Sequence, residues 1–332
     1  MSVRGTRVTV WRGGFVDCVH AFEAVVTGAD GTVLRATSAE AASLPVFIRS
    51  AAKALQAQPA IADDLPARLG LDGRHIALAC SSHIALPEQV SGVREILEAA
   101  RLSEAALGCG CDDQATSPIE HGCSGNHALG LALCADRGWP VDGYLEPDHP
   151  LQRAMRAAVV ELTGELDGEA LDNCGMRAYR MPLAALARAY ATLAAAATGA
   201  HRVTADAMRA HPELVRGPGE VDTELMRARS GLVAKVGAEG VIAVGLPDGC
   251  GLALKVIDGG WRALAPAAVS AVAAGLGLDL SGAGLLACAR PPLLTPTGAV
   301  AGHLDATVAW TDDDESTPVA GSQPGIDVKR WE

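Results

Sequence analysis

Ser50-Ala51-Ala52-Lys53 sets a hydroxyl three residues ahead of an amine. On a helix that spacing puts both side chains on one face, one turn apart. There a neutral amine can take the hydroxyl proton and turn the serine into a nucleophile. Of the 27 basic residues in the chain only four are lysines: Lys53, Lys235, Lys255 and Lys329. Arginine keeps its charge at any pH a protein survives, whereas a buried lysine can give its proton up, so each lysine is a candidate base. The competing reading of the motif is a helix start with Ser50 as cap and Lys53 in solvent.

Other residues could join this chemistry. Cys80-Ser81-Ser82-His83 closes the apolar run Ile76 to Cys80, read here as a strand. Ser82 is then a second nucleophile or proton relay, or a strand-end serine that satisfies backbone groups. Lys255 lies inside the apolar strand Leu252 to Ile257 and shares a face with Ala253 and Ile257. If that face is the core side, burial lowers its pKa toward a usable base; otherwise it sits on the wet face of an edge strand. Cys123, with His121, Asn126 and His127 nearby, precedes Asp172-Asn173-Cys174-Gly175 by about fifty residues. Two cysteines in glycine-flanked turns with such neighbours could hold zinc, or could be small residues buried in tight turns. Cys109-Gly110-Cys111 lacks ligand spacing and reads as structural. Lys235, Cys18, Cys80 and Cys250 receive no role at this level.

The elements that must carry these residues follow from periodicity. Arg7 to Val16, Ala21 to Thr27 and Val33 to Ala36 read as strands, the last two joined by the turn Gly28-Ala29-Asp30-Gly31. Val241 to Leu246 and Gly251 to Val256 read as a hairpin through Pro247-Asp248-Gly249. Pro87 to Ala100, Asn126 to Ala135, Pro150 to Leu162 and Pro182 to Ala197 carry helical spacing. Strands at both ends around an Ala-rich helical middle predict an α+β fold with one antiparallel sheet built from both termini. The predicted organisation is one catalytic domain over residues 1–310 and a mobile, polar and acidic tail over 311–332.

Composition narrows the function. The net charge is −12 with no basic run, and aromatic residues make up 3% of the chain, which argues against nucleic-acid and anionic-membrane partners. No apolar run reaches spanning length, and the first twelve residues hold no apolar signal core. Nine cysteines, an odd number, without an export signal point to reduced thiols in a cytoplasm.

Taken together and in order, these segments resemble the asparaginase II family, the rhizobial-type or thermolabile L-asparaginases. The resemblance rests on Arg12-Gly13-Gly14, Val46 to Ala57, Ser82-His83, Gly122 to Ala128 and Asp148-His149-Pro150. It continues through Asp172 to Gly175, Pro182-Leu183, Ala210 to Glu213, Ala234 to Gly240 and Gly251 to Lys255. It implies a fold similar to serine β-lactamases and bacterial glutaminases, a homodimer, and hydrolysis of L-asparagine to aspartate and ammonia. It also implies two serine–lysine pairs, Ser50 with Lys53 and Ser82 with Lys255, with Ser50 favoured as nucleophile and Ser82 the alternative. Arg49, His83 and Asp172 would grip the α-carboxylate and α-amino groups of a small amide substrate. A zinc ion would fall to Cys123, Cys174 and Asn126, where Asn126 stands in place of the family's lysine ligand. His83-Ile84-Ala85-Leu86 and Asp172-Asn173 depart from the family pattern beside these positions. They leave open another small amide or hydrazide as substrate, or a catalytically silent binding relative.

Overall fold

Strands from both ends of the chain do meet in one antiparallel sheet. The computed structural model describes residues 5–111, 115–164, 166–280 and 282–312. The strands are β1 (Arg7–Arg12), β2 (Phe15–Gly28), β3 (Val33–Ala36), β4 (Pro45–Phe47), β5 (Gly168–Leu171) and β6 (Arg177–Pro182). They continue with β7 (Val233–Gly237), β8 (Val241–Gly245), β9 (Cys250–Val256), β10 (Pro292–Leu294) and β11 (Val300–Thr307). The main sheet runs β10-β11-β1-β2-β9-β8-β7, with β3 paired on β2, and β4-β6-β5 form a small second sheet. The predicted α+β class with a helical middle is what the chain adopts.

Every residue of β7 and β8 is buried. Side chains of a strand point alternately to its two faces, so both faces must be covered. Such strands read as continuous apolar runs rather than as alternating patterns. Helices Leu183–Ala195 and Trp261–Leu276 both pack on β2 and β9, and helix Val221–Ala228 packs on β7.

Two sequence expectations change. The run Arg7 to Val16 turns at Gly13-Gly14, so Phe15 and Val16 open the long strand β2. The run Ile76 to Cys80 is not a strand but the end of helix Gly73–Ala79. A short apolar run fits either element. Here a cap decides: Asp72 Oδ1 accepts the Arg74 N–H at 2.9 Å, and the Asp72 N–H donates to His75 Nδ1 at 3.1 Å. Among the described residues no single helix is long and apolar enough to cross a membrane. The expected tail lies, from residue 313 onward, outside the described residues.

Candidate active site

Ser50 sits on a sharp turn between β4 and the first helix. The residue before it, Arg49, has φ of +49°. A side chain in that left-handed region costs on the order of 1–2 kcal/mol, a strain that tertiary contacts must hold. One such contact is with β7. A Cβ at Gly237 would stand 2.4 Å from the Ile48 carbonyl oxygen, so only glycine lets β7 press against this turn. The same approach carries Lys235, two residues earlier, beneath it.

Three side chains then form a line. Lys53 Nζ donates to the Ser81 carbonyl at 2.6 Å and lies 3.1 Å from Ser82 Oγ. On the other side of the hydroxyl, Lys235 Nζ is 3.0 Å from Ser82 Oγ and 2.9 Å from the Val236 carbonyl. Lys53, Ser82 and Lys235 are all buried. Lys235 is fully enclosed, and its pKa falls to about 7, first through burial and further through the charge of Lys53; Asp222 opposes the shift. Asp222, also fully buried, places Oδ2 3.8 Å from Lys235 Nζ and accepts the Val236 N–H at 3.2 Å. If Lys235 is neutral, Ser82 can donate to its lone pair while Lys53 Nζ donates to Ser82. On that count one proton can move along Lys53, Ser82 and Lys235.

Beside this line lies a narrow cleft. Arg49, Ser50, Lys53, Asn126, Asp172 and Cys174 line it, with Gln56, Met176 and Arg177. Arg49 and Asp172 form a two-bond ion pair, Nε to Oδ2 at 3.1 Å and Nη2 to Oδ1 at 2.7 Å, and Asn173 Oδ1 accepts Nη2 at 3.0 Å. A cation and an anion therefore stand side by side at the edge of the Ser50 cleft.

The other expected site residues are placed differently. Lys255 does not reach Ser82. It stands at the end of β9, opposite Val241, and donates to the Glu239 carbonyl in the β7–β8 hairpin. β8 lies between β9 and β7, and it is Lys235 on β7 that takes the Ser82 contact. His83 points away from the cleft: Nδ1 accepts the Ala85 N–H at 3.2 Å, and Nε2 lies 2.8 Å from Ser124 Oγ. Burial, with Lys53 adding to it, pushes the His83 pKa down to about 4, so the ring is neutral and structural. The Ile84–Leu86 segment turns onto Gln89, whose Oε1 accepts both the Ile84 and Leu86 N–H, and it does not line the cleft.

Lys235 and Asp222 are the residues that sequence reasoning missed. Lys235 had a signal: it is one of four lysines and lies in the otherwise apolar run Val233-Ala234-Lys235-Val236-Gly237. Asp222 had none, since an acid in the first turn of a helix is ordinary.

The expected zinc ligands are partly assembled. Cys123 and Cys174 share a thiol hydrogen bond that, with help from Lys53, holds the Cys123 thiol well below its usual range and raises Cys174. Asn126 donates Nδ2 to the Ala79 carbonyl at 3.2 Å and leaves its buried Oδ1 without a protein partner. His121 Nδ1 accepts the Cys123 N–H, and His127 Nδ1 lies 2.5 Å from the Tyr144 hydroxyl. Among the described residues no group of three or more His, Cys, Asp and Glu side chains could hold a metal. Two sulfurs and one amide oxygen fall short of the donor set that holds structural zinc, so these residues do not fit a resident zinc ion.

Among the comparisons with known proteins, one family model matches the chain. The model of L-asparaginase II matches residues 8–306. No curated protein matches the chain. Among solved structures, a β-lactamase from Mycobacterium bovis is similar at 17% identity, covering 77% of this chain and 95% of that one, with a TM-score of 0.42. The native form of Mglu is similar at 13% identity, over 79% of this chain and 66% of that one, with a TM-score of 0.46. EstCE1, a hydrolase with promiscuous acyltransferase activity, is similar at 10% identity, over 72% and 89%, with a TM-score of 0.39.

Proposed function

The chain belongs to the L-asparaginase II family of amidohydrolases, and we propose that it hydrolyses the side-chain amide of L-asparagine to L-aspartate and ammonia by serine–lysine catalysis. The observation that carries this reading is Ser82 Oγ held 3.1 Å from one lysine amine and 3.0 Å from another, beside a cleft lined by Ser50.

Ser50 is the nucleophile, because it lines the cleft and Ser82 does not. Lys53 passes its proton to Ser82 as Ser82 passes its own to Lys235. The neutral Lys53 amine then takes the Ser50 proton while Oγ attacks the amide carbon. Collapse of the tetrahedral intermediate breaks the C–N bond, and Lys53 delivers the proton to the departing nitrogen as ammonia. Water cleaves the resulting ester by the reverse proton path and frees aspartate. The paired charges of Arg49 and Asp172 complement the α-carboxylate and α-ammonium of an amino acid, which would exchange partners with them.

The test is ammonia release from L-asparagine by the purified protein beside Ser50→Ala and Ser82→Ala. Release that is lost in both variants, with a mass increment of an acyl group on Ser50 when the parent protein is quenched with acid during turnover, is the expected result. An acyl group on Ser82 would reverse the two roles, and full activity in both variants would overturn the mechanism.

A further inference from the structure

Asn126 lines the Ser50 cleft with one end of its amide bonded and the other without a partner. It stands in the first turn of helix Ser124–Arg137 and is 2% exposed. Its Nδ2 donates to the Ala79 carbonyl at 3.2 Å. That bond fixes which end of the amide is the oxygen, since only the NH2 end can donate. Oδ1 is buried and has no protein partner. A buried acceptor without a donor is costly, and one held in a cleft points to a donor that arrives with a ligand. Among the described residues, two such orphaned atoms belong to residues that line the cleft, Asn126 Oδ1 and Arg177 Nε. Arg177 Nε stands 3.8 Å from Glu169 Oε2, which leaves Asn126 Oδ1 as the atom without a counterpart.

The backbone sets Asn126 beside the reacting groups. A Cβ at Gly125 would collide with the Leu78 carbonyl oxygen, so only glycine lets this helix start against the end of helix Gly73–Ala79. The end of that helix and the residues after it then anchor two side chains of the cleft. Asn126 is tied to the Ala79 carbonyl, and Lys53 is tied to the Ser81 carbonyl two residues on. Lys53 is the group that hands a proton to the departing nitrogen. Arg49 and Asp172 already supply charges for the α-carboxylate and the α-ammonium. What remains for a neutral acceptor next to Lys53 is a neutral N–H donor. A carboxamide nitrogen carries two N–H bonds, whereas an ester or a carboxylate carries none.

We propose that Asn126 Oδ1 accepts an N–H of the substrate's carboxamide and so makes the site selective for the amide over the corresponding ester and acid. The inference rests on the amidohydrolase reading and names a specificity residue for it. One N–H held by Asn126 limits how the nitrogen of the tetrahedral intermediate turns beside its proton donor, Lys53. Once the C–N bond has broken, the acyl group offers Oδ1 no donor. A carboxylate product would set oxygen against oxygen, which favours its release.

The test compares kcat/KM for L-asparagine, read as ammonia, with kcat/KM for the β-methyl ester of L-aspartate, read as methanol. It is made in the parent protein, Asn126→Leu and Asn126→Asp. For both substrates kcat/KM reports the path through acylation, and any misfolded fraction lowers both alike. Leucine has neither amide end; aspartate keeps an acceptor and loses the N–H to Ala79. The expected result is an amide-to-ester ratio about tenfold lower in Asn126→Leu and within about threefold of the parent in Asn126→Asp. An unchanged ratio in Asn126→Leu, or loss of both activities together, would overturn the proposal. So would an equal fall of the ratio in both variants, because Asn126 would then act only by tying Ala79. A parent protein that releases no ammonia from L-asparagine would overturn the asparaginase reading itself, and this inference with it.

Discussion

Lys235 on β7 and Lys255 on β9 are carried by strands of one sheet with only β8 between them, yet their surroundings are opposite. Lys235 is fully buried, bonded to Ser82 and close to Asp222. Lys255 is half-buried and bonded to a hairpin carbonyl, and its pKa is lowered by burial only against the opposing charges of Glu239 and Asp258. β7 ends the hydrogen-bonded order of the sheet, which ordinarily means an exposed edge. Here the turn at Arg49–Ala52 and helix Val221–Ala228 cover it, and the edge strand becomes the floor of the site. What covers a strand, not how central the strand is, decides which lysine of this sheet is buried.

The largest effect is expected at Lys53, which serves both the cleft and the buried line. Lys53→Ala should lower kcat/KM for L-asparagine by on the order of 10³-fold or more, measured as ammonia release. Arg49→Gln removes the two-bond partner of Asp172 and should raise KM by about 10–100-fold with a smaller change in kcat, which separates binding from chemistry.

A subtler effect concerns pH. With Lys235 near pKa 7, kcat/KM should rise with pH and level off above about 7, since the reaction needs a site for the shared proton. Asp222 raises that pKa, so Asp222→Asn should move the rising limb to lower pH. Stability has the same direction. The folded pKa lies below that of an unfolded lysine, so between the two values the unfolded chain binds the extra proton. Stability from this group therefore increases as pH rises through that window, and a thermal unfolding series in buffers of increasing pH would show it. The smallest effect is expected from a chelator: activity should be unchanged after dialysis against EDTA, because the Cys123, Cys174 and Asn126 donors do not fit a resident zinc ion.

Much of the site was legible in the sequence because its chemistry is local. Ser50 and Lys53 are joined by a helical turn, whereas Arg49 and Asp172 are reached only through the family resemblance. The fold class was legible because strand patterns cluster at the two ends. What was hidden depends on distant packing. Lys235 and Lys255 both sit in apolar strands, and nothing in either run says which strand the Arg49 turn will press against. Gly237 carries that information only once its 2.4 Å approach to Ile48 is seen. Ile76 to Cys80 was read as a strand since its residues are apolar on every side, as they are in a buried helix. His83 followed the family pattern, but its ring nitrogens are spent on Ala85 and Ser124.

The central claim is that Lys235, and not Lys255, completes the serine–lysine machinery. The most direct measurement is ammonia release from L-asparagine by Lys235→Met and Lys255→Met beside the parent protein. The expected result is a loss of about 100-fold or more in Lys235→Met and a change within about twofold in Lys255→Met. The reverse order, with Lys255→Met inactive and Lys235→Met near the parent rate, would contradict the account.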